Sequence, residues 1–223
     1  MTANVTKVLE KIKNHSIFES NLYFIGGTAL SYYIDHRISE DIDIVSANHL
    51  KYKDIIPSFL SLGAVRIQDE NISALRMAGL FPEEYMIKFI LDDVKLEFFQ
   101  ANRVIQKEIL QEATFQSYEN SSLKILDVKS ISKLKLVALF HREKSRDLFD
   151  FGAIIQHKVL NLDEILEIAN KTKNIKSIDE LYKYISSKTE PIDDEAVYIS
   201  ENHKINLPFE TIKKDVLILL NTL

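Results

Sequence analysis

No cysteine occurs anywhere in the 223 residues. That excludes a disulfide framework, a zinc–cysteine site and a thiol nucleophile, and it agrees with a cytoplasmic protein. Long hydrophobic runs are missing too. The longest late one, Val216–Leu220, is far too short to span a membrane, and the N-terminus has no apolar signal-peptide core, so no membrane partner is expected. Positive charge is not in excess. The net charge of −5 argues against diffuse nucleic-acid binding and confines any such site to a local basic patch. Internal repeats and low-complexity linkers are absent, and the nine tyrosines form no recognisable stacking platform. What remains is 46% hydrophobic and 27% charged, an ordinary globular composition. The length suits one large domain or two small ones with ample core.

Against that background one stretch organises the rest. Leu22–Ile25 reads as a short buried strand, Gly26-Gly27 breaks it, and Thr28 to Asp35 reads as a helix. Asp41 to Val45 then reads as a second strand. Residues two apart on a strand share a face, so Asp41 and Asp43 point one way while Ile42 and Ile44 point into the core. Two like charges side by side call for a positive partner, and a divalent metal takes carboxylate oxygens readily. Ahead of the helix, two glycines permit close approach of a ligand to the backbone, and a helix N-terminus favours an anion such as a phosphate. A phosphate cradle beside a metal-binding carboxylate pair is what phosphoryl or nucleotidyl transfer needs.

The remaining pattern is α+β. Residues 3–14 form an amphipathic helix through Val5, Val8, Leu9 and Ile12. A helix is expected over Leu50–Leu62 with Gly63 near its end, then a strand over Ala64–Gln68, a strand around Ile72–Met77 and a loop over Gly79–Pro82. Glu84–Leu91 and Val94–Gln100 read as a hairpin turning at Asp92-Asp93. In its second strand Glu97 is an acid in an apolar run. It is either an exposed acid on a half-buried strand or the third carboxylate of a metal site beside Asp41 and Asp43, and it is preferred to the turn residues Asp92 and Asp93. A helix over Arg103–Ala113 and a strand over Leu123–Leu126 follow, with Asp127 a candidate cap. Strand signals then stop, which divides the chain into 1–125 and 126–223. The second part reads as helices over Ser130–Arg142, Ser145–His157, Leu162–Thr172, Ile178–Ser187 and Pro208–Thr222. Ser177 and Glu180 fit a capping box, and Val197–His203 is loop or helix.

The other informative run is Lys133 to Asp150. Between Lys124 and Arg146 lie seven basic residues (124, 129, 133, 135, 142, 144 and 146) against Asp127 and Glu143. A net +5 in a chain of −5 is segregated charge. A solvated helix face is the plain reading. Two features favour function: Lys135 borders the apolar stripe of Ile131, Leu134 and Ala138, and Asp147 and Asp150 share one helix face.

Together these blocks carry a resemblance. Gly26-Gly27-Thr28, a short helix and Asp41-x-Asp43 resemble the signature of DNA polymerase β-like nucleotidyltransferases. The fuller string, with Arg37-x-Ser39 before the aspartates and Lys135…Arg146-Asp147-x-x-Asp150 downstream, resembles the AbiEii-type toxins of abortive-infection and toxin–antitoxin systems. The resemblance covers residues 21–45 and 133–151. It implies a nucleotidyltransferase-like mixed sheet flanked by helices, followed by a C-terminal helical bundle. It also implies transfer of a nucleoside monophosphate from a nucleoside triphosphate to an acceptor hydroxyl. Asp41, Asp43 and Glu97 would hold Mg²⁺ or Mn²⁺, although the superfamily usually has aspartate where Glu97 stands. Gly26, Gly27 and Thr28 would bind phosphates, with Arg37 and Ser39 in the same nucleotide-binding motif. Lys135, with Arg146, would meet the leaving pyrophosphate, Asp147 would belong to the active site, and Asp150 would be catalytic or, the preferred role, would hold Arg142 or Arg146 in place. The implied partners are a nucleoside triphosphate, RNA or tRNA as acceptor along 124–146, and a cognate antitoxin. His36 and His141 are general-base candidates, but neither has a metal-ligand partner at i+4, and a packing role is preferred for both. Two other classes fit the same residues: a non-catalytic nucleotide-binding module and a nucleotidyltransferase that modifies proteins.

Overall fold

The structure, a computed structural model, describes residues 1–68, 70–192, 194, 196–199 and 207–223. The chain forms two compact units. The first comprises Met1–Ala29 and Ser39–Asp127, the second Leu30–Ile38 and Val128–Leu223. Nine early residues, Leu30–Ile38, thus group with the later unit.

The first unit is built on a seven-stranded mixed sheet. Its strands are β1 (Tyr23–Ile25), β2 (Asp41–Ser46), β3 (Val65–Ile67), β4 (Met86–Leu91), β5 (Val94–Gln100), β6 (Phe115–Ser117) and β7 (Lys124–Leu126). They lie in the order β3-β4-β5-β2-β1-β7-β6. The pairs β2–β5 and β1–β7 are parallel, and the other neighbours are antiparallel. Helix α1 (Ala3–Ile12) starts where the Thr2 hydroxyl accepts the Val5 N–H, and it buries Val5, Val8, Leu9 and Ile12, the four positions of its apolar stripe. Helix α3 (Tyr52–Ser61) places Phe59 against Phe89 and Phe98, with ring centroids 5.3 and 4.9 Å away. Ile42, Ile44, Leu96 and Phe98 are buried on the opposite side of their strands from Asp41, Asp43, Lys95 and Glu97, which are half-buried. The period-2 pattern of β2 and β5 therefore separates core from site.

Two elements differ from expectation. Ile72–Met77 is a helix, α4, rather than a strand. Its Ala, Leu, Arg and Met are strong helix formers, and only Ile72 of the six is buried, so no alternating burial selects a strand. Strand β6 was not expected: all three of its residues are exposed, and it exists through its antiparallel pairing with β7. The hairpin does turn at Asp92 and Asp93, with φ of 49° and 64°. Two successive left-handed residues match the right-handed twist of the flanking strands, and aspartate tolerates that conformation. Helix α5 (Val104–Glu112) follows β5.

Helix α2 (Gly26–Ile34) contributes its first residues to the first unit and Leu30 onward to the second. The second unit is otherwise helical: α6 (Val128–His141), α7 (Ser145–Gln156), α8 (Leu162–Lys173), α9 (Ile178–Ser186) and α10 (Phe209–Leu220). Helix α6 packs on α7 and α8, and α10 on α7 and α9. Gly152 lets α10 come close, since a Cβ there would lie 3.1 Å from a Val216 methyl. Helix α8 opens with a full capping box between Asn161 and Glu164. At α9 the Ser177 hydroxyl caps Glu180 N–H, but Glu180 returns its bond to Lys176 N–H at 2.7 Å rather than to the cap. Of Val197–His203, residues 200–203 lie outside the described residues, and the Tyr198 carbonyl accepts the Ile38 N–H at 2.8 Å. No helix among the described residues is long and apolar enough to cross a membrane.

Candidate active site

In the first unit the expected site residues meet where α2 begins beside β2. Gly26 has φ +84°, and a Cβ built on it would fall 2.0 Å from Asp43 Oδ2 and 2.8 Å from its Cβ and Cγ. Glycine is thus required twice, for a left-handed backbone and for the carboxylate lying against it. Thr28 is fully buried. Its hydroxyl donates to the Asp41 carbonyl and shares a 2.8 Å hydrogen bond with the buried Ser39 hydroxyl. Thr28 and Ser39, both expected in the nucleotide-binding motif, fasten the start of α2 to the start of β2.

Strand register sets out the charged groups. Asp43 is level with Glu97 and Asp41 with Lys95 across the parallel pair, and Glu97 is level with Lys88 across the hairpin. Level residues present side chains on one face about 5 Å apart. Glu97 Oε1 lies 2.7 Å from Lys95 Nζ and 3.1 Å from Lys88 Nζ. Burial alone would raise the Glu97 pKa, yet the two lysines draw it below the ordinary glutamate value. Burial would likewise lower Lys95, but Glu97, with Asp41 and Asp43, holds it above the usual lysine value.

The donor set tests the implied metal. Asp41 and Asp43, two hard oxygen donors on one half-buried face, fit a divalent cation. Glu97, expected as the third ligand, has its Oε1 on two ammonium groups instead. Among the described residues no group of three or more His, Asp or Glu is arranged to hold a metal ion.

The second unit contains a buried ion cluster around Asp150 on α7, which is fully buried. Arg37 grips it with two bonds, Nε to Oδ1 at 2.6 Å and Nη2 to Oδ2 at 3.2 Å. Lys135 Nζ on α6 lies 2.7 Å from Oδ2, and His36 Nε2 lies 2.7 Å from Oδ1. The Ser31 hydroxyl donates to the Arg37 carbonyl at 2.8 Å. Burial opposes ionisation of Asp150, but Arg37, Lys135 and His36 outweigh it and hold its pKa well below the usual carboxylate range. Burial also dominates at His36 and lowers its pKa despite the adjacent Asp150.

Asp150 thus holds Arg37, not Arg142 or Arg146 as expected. Arg142 instead forks onto buried Asp147 at 2.6 and 3.0 Å, and Arg146 Nε donates to the Ala196 carbonyl at 3.5 Å. The sequence reading preferred a packing role for His36 and ranked a structural role first for Asp150. It missed that Arg37, His36 and Lys135 all meet at this carboxylate. The signal available was three charged or titratable residues close to apolar positions in two separate motifs. His141 Nδ1 lies 2.7 Å from the Val137 carbonyl of its own helix. Of the basic residues between 124 and 146, Lys124 donates to the Glu19 and Ser20 carbonyls, Lys129 pairs with Glu164, and Lys135, Arg142 and Arg146 are engaged as above. A cavity of about 210 Å³ in the first unit, lined in part by Ser20, Ser46, Asn48, His49 and Lys51, includes none of the expected site residues.

The mixed sheet carries Gly-Gly at the head of a helix and Asp-x-Asp on the following strand, the pattern in which the resemblance to nucleotidyltransferases lies. The sequence matches the family model described as "Nucleotidyl transferase AbiEii toxin, Type IV TA system" over residues 7–207. The chain belongs to that family, as its motifs led one to expect. A protein of Aquifex aeolicus (strain VF5), aq_aa25, is 23% identical over 165 residues, covering 74% of this chain and 72% of that protein. Two solved structures share the fold. A candidate nucleotidyltransferase from H. pylori has TM-score 0.52 and 16% identity, over 100% of this chain and 95% of that one. JHP933 from Helicobacter pylori has TM-score 0.50 and 17% identity, over 97% and 89%.

Proposed function

We propose that this nucleotidyltransferase moves a nucleoside monophosphate from a nucleoside triphosphate to a hydroxyl of RNA, as the toxin of a toxin–antitoxin pair. The observation that carries the transfer chemistry is the Asp41–Asp43 pair on one face of β2, with Asp43 lying against the Cβ-less Gly26 at the start of α2. The N–H groups of Gly26 and Gly27 at that helix start suit an anionic phosphate. Asp41 and Asp43 would hold a divalent cation, Mg²⁺ or Mn²⁺, which when bound supplies charge stabilisation to the triphosphate. Thr28 and Ser39 keep the glycines and the aspartates in fixed relation. The acceptor oxygen attacks the α-phosphorus, its proton passes to solvent, and the bond to the β-phosphate oxygen breaks to release pyrophosphate. Within the second unit Arg37 and Lys135 are both paired with Asp150. Arg142 and Asp147 form an ion pair that supports the start of α7.

The test supplies Mg²⁺, each of four α-labelled nucleoside triphosphates and total cellular RNA to the full chain, with Asp41→Asn/Asp43→Asn beside it. Label in RNA from the wild type alone supports the proposal. Label in protein refutes the RNA acceptor, and label that persists in the double variant refutes the assigned aspartates.

A further inference from the structure

The carboxylate face of the sheet carries two lysines that the transfer chemistry above does not use. Lys95 is level with Asp41, and Lys88 is level with Glu97, so the two ammonium groups share the face of Asp41, Asp43 and Glu97. Both converge on the same oxygen, Glu97 Oε1, at 2.7 and 3.1 Å. We propose that Lys95, assisted by Lys88, is a positioning residue that holds Glu97 off the Asp41–Asp43 pair, so that this site takes one divalent cation rather than two.

The proposal rests on the assignment of Asp41 and Asp43 as cation ligands and goes on to the number of ions they serve. Charge supports it. Three carboxylates alone carry −3 and would draw two divalent ions. With both lysines the face carries −1, which a single divalent ion already overcompensates. Geometry supports it as well. Both lysines approach from strand positions fixed by the sheet: Lys95 from the same strand two residues earlier, Lys88 from the neighbouring strand. Detaching Glu97 to ligate an ion would leave two ammonium groups beside that ion without their counter-charge, which like-charge repulsion opposes.

Mn²⁺ bound per full-length chain, counted by electron paramagnetic resonance with Mn²⁺ alone as the probe, tests this. One ion is expected in the wild type, one in Glu97→Gln with affinity within about twofold, and one in Lys95→Arg. None is expected at this site in Asp41→Asn/Asp43→Asn. Lys88→Met/Lys95→Met should release Glu97 and either add a second ion or tighten the first about tenfold. Two ions in the wild type, one of them lost in Glu97→Gln, would overturn the inference and leave the aspartate assignment standing. Wild-type binding that the aspartate substitutions leave untouched would overturn both. Unchanged Mn²⁺ binding in the folded double-lysine variant would overturn the positioning role alone.

Discussion

Gly26→Ala is a sharp perturbation because Gly63→Ala supplies its own control. Gly26 and Gly63 have nearly the same backbone, φ +84° and +88°, but their surroundings differ. An alanine at 63 meets nothing within 4 Å, whereas one at 26 would place its Cβ 2.0 Å from Asp43 Oδ2. The left-handed conformation costs a non-glycine residue about 1–2 kcal/mol. Both variants should therefore lose that much stability, roughly 2–8 °C in Tm for a chain of this size. Only Gly26→Ala must also displace the carboxylate, by at least an ångström before the contact becomes tolerable. A displacement of that size at a reacting group costs on the order of 10²-fold in rate. Thermal unfolding and single-turnover transfer of labelled nucleotide, run on both variants, read the two effects separately. Gly26→Ala with full activity would show that the position of Asp43 does not govern the chemistry. An equal loss of activity in Gly63→Ala would show that backbone strain alone explains the effect.

Three further outcomes follow from the helical unit. Asp150→Asn removes the carboxylate that Arg37 and Lys135 share in the interior and should cost about 3–5 kcal/mol, read by urea unfolding; a loss under 1 kcal/mol would deny the cluster its structural role. His36 is held neutral, its pKa lowered chiefly by burial, so the unfolded chain binds the proton first. Its contribution is complete above about pH 6.5 and declines as pH falls from there towards the lowered folded pKa, with a slope of at most about 1.4 kcal/mol per pH unit; stability measured between pH 5 and 7 should flatten in His36→Gln, and an unaltered slope would contradict the assignment. Asn161→Ala removes the cap of α8 and should lower stability by about 1 kcal/mol while nucleotide transfer continues unchanged.

The periodic signals were the legible ones. The four buried positions of α1, the shared face of Asp41 and Asp43, and the buried side of β5 all follow from a repeat of 3.6 or 2 acting within one element. Ile72–Met77 was misread because six residues are too few to distinguish the two periods, and helix-forming side chains decide the matter there. Strand β6 has no apolar pattern of its own to read, since its partner creates it. The site divided along the same line. Asp41, Asp43 and Gly26 are visible in sequence because local geometry brings them together. The partners of Glu97, Thr28 and Asp150 are not, because register and tertiary packing choose them. Arg37 and Asp150 lie 113 residues apart, and no local rule joins them.

That separation has a consequence for the growing chain. Ribosomes add roughly 5–20 residues per second, so Arg37 emerges roughly 6–23 s before the carboxylate that will pair with it. For that interval Leu30–Ile38 has no helical unit to join, even though the first strands of the sheet on either side of it in sequence are already made. A transcript broken before codon 150 therefore yields no miniature of the enzyme. It leaves a guanidinium whose burial has lost the carboxylate that would offset it, and a helix, α2, whose second half has no unit of its own to join.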